Sequence, residues 1–161
     1  MANFDISFDR LMKLEFSSPK NALHKNQGEN GYTFMGIYEV ANPKWSGWEQ
    51  IKNTLSLYPM EYASEVLFND RDLKEQVKDF YKKQYWDKAK LDYVLPFDTA
   101  NLIFIFGVNA GMKTAIKYAQ QVVNVENDGI VGNITLRALN AYSPLKFVSE
   151  YKSLQVKYIH N

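Results

Sequence analysis

Glu15 is the residue whose type and position are best suited to chemistry. The residues before it form one apolar helix face, made of Phe4, Phe8, Leu11 and Met12. The next position on that face is Glu15. Burial disfavours an ionised carboxyl group without a partner and raises its pKa, so the group keeps its proton as a general acid must. The alternative, of about equal weight on spacing, is a glutamate that ends the helix and turns to solvent.

A polar segment follows this helix and brings a second carboxyl group. Residues 20–32 are rich in Asn, Gln and Gly and contain Glu29, and the chain turns apolar and β-like over residues 34–38. A helix that ends in a carboxyl group, followed by a polar loop and a strand, suits a cleft for a polyhydroxylated substrate. Retaining and inverting glycosidases need two carboxyl groups, a proton donor and a second group that attacks or activates water.

Glu15, Thr33 and the pair Gly36-Ile37 resemble the N-terminal signature of glycoside hydrolase family 108. This family comprises the phage and prophage N-acetylmuramidases and includes secretion activator proteins. Its signature reads Glu-Gly-Gly-Tyr, then Asp-Pro-Gly-Gly-x-Thr, then Gly-Ile-Thr. The resemblance covers nearly the whole chain and is strongest over residues 80–141.

The sequence departs from the family signature between Glu15 and Thr33. Phe16 and Ser17 replace the two glycines, and the interval up to Thr33 is a few residues longer. The family's Asp falls on Gly28 when counted back from Thr33, or on His24 when counted forward from the acidic residue. Its second acidic group therefore has no direct counterpart, and Glu29 is the nearest substitute.

The resemblance implies a muramidase that hydrolyses the β-1,4 bond between N-acetylmuramic acid and N-acetylglucosamine. Glu15 would be the general acid, with Glu29, or a water held by Thr33, on the opposite face of the sugar. The residues expected to bind substrate are His24, Tyr32, Trp45 and Asn109. Sugar rings stack on aromatic side chains, which make up 15% of the chain. A core role for Trp45 and a structural role for Asn109 are the favoured alternatives.

The second half of the chain predicts a helical packing scaffold. A helix that starts after Pro96 is apolar nearly all round, so it belongs at the centre of the fold, with Asn109 inside the buried run. The later string Asp-Gly-Ile-Val-Gly-Asn-Ile-Thr, residues 128–135, resembles a motif of peptidoglycan-binding modules. We expect its Ile130 and Val131 to enter the core.

These patterns predict an all-α, lysozyme-like domain of six or seven helices with a small β-hairpin near residues 30–40. Residues 1–95 would form the catalytic half, which carries the N-terminal acidic helix. Residues 96–161 would form the peptidoglycan-binding-type helical half. We expect the two halves to pack as one compact domain, which suits a chain of 161 residues.

Composition narrows the partners and the compartment. A formal net charge of +1 gives no field to recruit nucleic acid. The chain has no cysteine and only His24 and His160, so we expect no metal and no cofactor. Without a signal peptide or a membrane-spanning run, we expect synthesis in the cytoplasm and no stable membrane insertion. A wall enzyme would then reach peptidoglycan glycan strands in the periplasm through a route such as a holin, as a monomer.

Two other functions fit the same residues. A lytic transglycosylase needs a single catalytic acid and leaves an anhydro sugar end, and Glu15-Phe16-Ser17 resembles the Glu-Ser opening of that class. The replaced glycines also fit a chain that has lost hydrolysis and acts as a peptidoglycan-binding or secretion-assisting factor.

Overall fold

The computed structural model describes residues 3–160 and is mainly α-helical, as predicted. Eight α-helices lie in this range, where the sequence predicts six or seven, and three short strands form one sheet. The helices are α1 (Phe4–Glu15), α2 (Trp48–Leu55), α3 (Met60–Phe68), α4 (Arg71–Tyr81), α5 (Phe97–Ala110), α6 (Met112–Val123), α7 (Asn133–Ala141) and α8 (Pro144–His160). The strands are β1 (Leu23–His24), β2 (Thr33–Phe34) and β3 (Ile37–Tyr38).

Contacts group the described residues into two compact units. One contains residues 8–81, and the other contains residues 3–7 together with residues 82–160. The first unit holds α2 to α4 and the sheet, and the second holds α5 to α8. The functional division after residue 95 stays a prediction.

The sheet of the first unit has one apolar and one polar face. Its strands are antiparallel in the order β1-β2-β3, which confirms the hairpin expected near residues 30–40. One row across the sheet is apolar and fully buried, and it consists of Leu23, Phe34 and Ile37. The neighbouring row is polar and half-buried, and it consists of His24, Thr33 and Tyr38. Because side chains alternate along a strand, the polar row lies on the opposite face.

The hairpin turn between β2 and β3 is tight and held from two sides. Met35 and Gly36 both have positive φ, at 48° and 86°, as a two-residue type I′ turn requires. The amide of Met35 donates to the carbonyl of Ala22 over 2.8 Å. The hydroxyl of Tyr81 donates to the carbonyl of Met35, also over 2.8 Å. The tip is therefore fixed by the residue that precedes β1 and by the end of α4.

Helices α1 and α4 are amphipathic, and each buries one apolar face. On α4, Leu73, Val77 and Tyr81 repeat every fourth residue and are all buried. The carboxylate of Asp70 accepts the amide of Leu73 over 2.8 Å and so caps the start of this helix. The register of α4 therefore carries the Tyr81 hydroxyl to the hairpin.

In the second unit the turn after α6 differs from the sequence prediction. Val131 is buried as expected, but Ile130 is 70% exposed, so its predicted place in the core is wrong. The fully buried amide of Gln120 explains this, because its nitrogen donates to the Ile130 carbonyl and its oxygen accepts the Gly129 amide. These bonds draw the backbone of the turn inward, and the Ile130 side chain points outward.

Asn109 also departs from its expected environment. It lies on α5, one residue before the helix ends, and is exposed, so the prediction that it sits in the buried run is wrong. The buried residues of α5 are mostly apolar, as predicted, but Thr99 and Asn101 are polar and buried among them. Across residues 3–160, none of the helices combines the length and apolar character that a membrane span needs.

Candidate active site

Glu15 occupies the position that its sequence pattern predicts. It is the last residue of α1 and is half-buried. Burial raises the pKa of its carboxyl group above the ordinary value of 4.5. Within residues 3–160 no lysine, arginine or histidine forms an ion pair with it. Burial therefore makes this carboxyl group hold its proton more tightly than a free glutamate does.

The hairpin tip lies directly against this carboxyl group. A Cβ atom placed on Gly36 would stand 2.8 Å from Oε2 of Glu15 and 2.4 Å from the hydroxyl of Tyr81. Both distances are shorter than van der Waals contact allows. Glycine is thus required twice at position 36, for the space and for the positive φ.

Residues from three separate elements meet at this carboxyl group. Glu15 comes from the end of α1, Gly36 from the hairpin, and Tyr81 from the end of α4. Tyr81 also bonds the carbonyl of Met35, so the same hydroxyl fixes the tip and adjoins the carboxyl group. The carboxyl group of Glu15 therefore faces a backbone that cannot easily move away.

The polar row of the sheet brings two predicted site residues together. His24 and Thr33 are direct cross-strand partners, and Tyr38 is the partner of Thr33 on the other side. Nδ1 of His24 lies 3.0 Å from the carbonyl of Asn21, and because a carbonyl only accepts, this nitrogen carries the proton. Sequence reasoning missed Tyr38, although strand alternation and the register of the hairpin indicate it.

Glu29, the predicted second acidic group, lies in the loop between β1 and β2 and is half-buried. Its carboxylate accepts the side-chain amide of Asn26 over 3.2 Å, and its backbone amide donates to the Asn26 carbonyl over 3.1 Å. These bonds shape the loop locally. Its catalytic role, like that of Thr33, stays a prediction.

Glu39 is a carboxylate that sequence reasoning overlooked. Its side chain pairs with Lys52 at 2.5 Å and accepts the backbone amide of Tyr32 over 3.1 Å. The hydrogen bond from Lys52, followed by that from Tyr32, lowers the pKa of Glu39. The same unit therefore holds one carboxyl group with a raised pKa, Glu15, and one with a lowered pKa, Glu39, a contrast typical of acid-base sites. The sequence gives little indication of this role, because Glu39 meets Lys52 only when α2 has packed beside the hairpin.

The two predicted aromatic contacts differ in environment. Trp45 is half-buried and stacks on Phe34, with ring centres 6.5 Å apart and an angle of 22° between the planes. It also packs edge-on against Trp48 and Phe80. Tyr32 is half-buried, and the ammonium group of Lys25 lies 5.6 Å from its ring centre. Trp45 thus packs against neighbouring aromatic side chains, and sugar stacking on either ring stays a prediction.

Asn109, the fourth predicted substrate contact, belongs to the second unit. Its exposure leaves the side chain accessible to solvent. A role in binding substrate stays a prediction.

The fold has a solved relative. A structure of SagA from Brucella abortus aligns with a TM-score of 0.68 at 23% sequence identity, over 98% of this chain and 80% of that chain. At this identity the likeness establishes the fold. Comparison with curated proteins finds no match.

A family model gives the relationship at the level of sequence. The model described as Glycosyl hydrolase 108 matches residues 22–111 and thus more than half of the chain. The matched span contains the whole sheet and α2 to α5, whereas Glu15 lies before it. Glu15 is therefore supported by its position and burial and not by the family match. By this match the chain belongs to glycosyl hydrolase family 108, and it is a glycoside hydrolase by family.

Proposed function

We propose that this glycoside hydrolase is a peptidoglycan muramidase that cleaves the β-1,4 bond between N-acetylmuramic acid and N-acetylglucosamine. The observation that carries the proposal is the environment of Glu15, a carboxyl group held at a helix end, with a pKa raised by burial, and packed against the hairpin tip at Gly36. Cleavage of a glycosidic bond requires such a proton donor.

In this mechanism Glu15 protonates the glycosidic oxygen as the bond from that oxygen to the anomeric carbon breaks. A new bond forms at the anomeric carbon from the opposite face. Either Glu29 attacks and forms a glycosyl ester, which water then hydrolyses as it gives a proton back to Glu15, or a water molecule that Thr33 holds attacks directly and gives its proton to Glu29. If the carboxyl groups of Glu15 and Glu29 are about 5–5.5 Å apart at the substrate, the reaction would retain the anomeric configuration. A separation of about 6.5–9.5 Å would lead to inversion.

The sugar would be held by polar and aromatic groups of the same unit. The row of His24, Thr33 and Tyr38 offers a ring nitrogen and two hydroxyl groups on one face of the sheet. Hydroxyl and acetamido groups of a sugar are recognised by few, well-placed partners of this kind. Tyr32 and the exposed part of Trp45 would supply stacking.

The decisive test compares wild-type protein with Glu15→Gln on purified Gram-negative sacculi, followed by turbidity. The amide cannot give up a proton, so we expect the rate to fall by about 10²–10⁴-fold, with an unchanged circular dichroism spectrum. Glu61→Gln is the matched control, because Glu61 is an exposed glutamate on α3 of the same unit. A folded Glu15→Gln variant with full activity would sink the proposal.

Mass spectrometry of the released muropeptides separates the rival functions. Reducing ends that have gained water identify a hydrolase, whereas anhydro ends, lighter by one water, identify a lytic transglycosylase. If sacculi bind the wild-type protein and no fragment is ever released, the chain is a wall-binding or secretion-assisting factor.

The proposed substrate places the site of action at the cell wall. A chain made in the cytoplasm would need a route to the periplasm, and a holin pore is the partner that we propose for it. Clearing of intact cells only when a holin is co-expressed, with activity on isolated sacculi in either case, would support this step.

A further inference from the structure

A cavity of about 400 Å³ opens beside α1 in the first unit. Its volume is in the range of sites that take small molecules. The apolar side chains that line it are Phe8, Met12, Phe16, Pro19, Met35 and Phe68. None of the roles assigned above uses this cavity.

The cavity is lined by a chain neighbour of the candidate catalytic group and by a chain neighbour of the glycine that packs against it. Phe16 directly follows Glu15, and Met35 directly precedes Gly36, whose backbone packs against the Glu15 carboxyl group. An occupant of the cavity would therefore lie near the Glu15 carboxyl group.

Charge at the rim indicates what the occupant carries. Lys13 and Lys74 both line the cavity, and Asp9 is the one carboxylate among its lining residues. The ammonium group of Lys74 lies 4.2 Å from the ring centre of Phe68, which holds it over the apolar wall. An occupant with small apolar groups and more than one carboxylate complements this combination.

We propose that the cavity binds the stem peptide that muramic acid carries, so that the enzyme cleaves next to peptide-bearing sugars. This inference rests on the proposed function. A stem peptide begins with a lactyl methyl and an alanine methyl, which suit the apolar floor, and continues with free carboxylates, which suit Lys13 and Lys74. Its attachment to the sugar places it beside the scissile bond, where the cavity lies relative to Glu15.

Methionine methyl groups give a direct binding test that does not depend on catalysis. Of the five methionines, Met12 and Met35 line the cavity, whereas Met60 and Met112 do not. In protein labelled with ¹³C at the methionine methyls, we titrate the free stem tetrapeptide L-alanyl-γ-D-glutamyl-diaminopimelyl-D-alanine. We expect the resonances of Met12 and Met35 to shift and those of Met60 and Met112 to stay.

Lys74→Ala tests the rim charge. Loss of one partly exposed ion pair should weaken peptide binding about two- to fivefold, while Lys88→Ala, an exposed lysine of the second unit, should leave it unchanged. On intact sacculi Lys74→Ala should raise KM, and on glycan strands stripped of peptide by an amidase it should act as wild type.

The outcomes separate this proposal from the proposed function. If the protein hydrolyses sacculi but the peptide leaves Met12 and Met35 unshifted, the peptide site is wrong and the muramidase stands. If the peptide shifts both methyl resonances but no glycosidic bond is cut, the peptide-binding site is supported and the proposed muramidase activity is wrong. Equal shifts with decanoate, a simple acyl carboxylate, would overturn the peptide in favour of an acyl group.

Discussion

Gly36→Ala is the substitution that best tests the geometry of the candidate active site. The new methyl group would stand 2.8 Å from a carboxylate oxygen of Glu15 and 2.4 Å from the hydroxyl of Tyr81. Alanine at positive φ costs about 1–2 kcal/mol. Displacing Tyr81 from its bond to Met35 costs about 1 kcal/mol more.

We therefore expect the free energy of unfolding to fall by about 2–3 kcal/mol. For a chain of this size the melting temperature should fall by roughly 5–10 °C. Because Glu15 must shift to admit the methyl group, activity on sacculi should fall about 100-fold, the effect of moving a catalytic group by about 1 Å. Thermal unfolding followed by circular dichroism and the turbidity assay measure the two effects.

Gly28→Ala is the matched control for stability. Gly28 has almost the same φ, +83°, but nothing stands within 4 Å of the position of its Cβ. It should therefore show the backbone strain without the steric clash. Equal losses of stability in the two variants, with full activity in Gly36→Ala, would mean that Glu15 and Tyr81 do not enclose the hairpin tip, and the reasoning would be refuted.

Three further predictions concern the same unit. Burial raises the pKa of Glu15 above 4.5, so the folded protein binds this proton more tightly than the unfolded chain, and stability is lost as the pH rises through the raised pKa. In denaturant titrations the stability of Glu15→Gln relative to wild type should therefore increase from acid to neutral pH, and a difference that does not change with pH would contradict this. The pKa of Glu39 is lowered mainly by Lys52, so this pair stabilises above the ordinary pKa and is lost as the pH falls; Lys52→Met should be less stable near neutral pH and equal to wild type in strong acid. Tyr81→Phe should lose about 1 kcal/mol and slow hydrolysis while folding normally; unchanged kinetics would show that the tip needs no anchor.

Local patterns predicted the elements that position the site. The apolar repeat that begins at Phe4 predicts α1, and it ends at Glu15 as expected. The β-like run around residues 33–38 predicts the hairpin. The half-buried state of Glu15 also follows from its place on the apolar face. Each of these depends on neighbours within one helix or one hairpin, which sequence spacing describes well.

What the sequence did not reveal depends on contacts between distant residues. Tyr81 reaches Met35 across 46 positions, and no periodicity links them. Glu39 has its partner on α2, and its lowered pKa exists only once that helix has packed. Ile130 looked like a core residue by type, but a buried glutamine decided the direction of its turn. Tertiary hydrogen bonds outweighed local preference in each case.

The strained residue at the hairpin tip has a consequence for the order of folding. Met35 at φ 48° is a bulky residue in a position that glycine and asparagine occupy most easily. The turn therefore gives little nucleation of its own and waits for the bonds from Ala22 and Tyr81. The bond from Tyr81 closes a loop of 46 positions, so we expect the hairpin to form after α4. In folding kinetics, substitutions at Thr33 and Ile37 should then change the unfolding rate much more than the folding rate. The chain would then complete its helical scaffold first and its active site last.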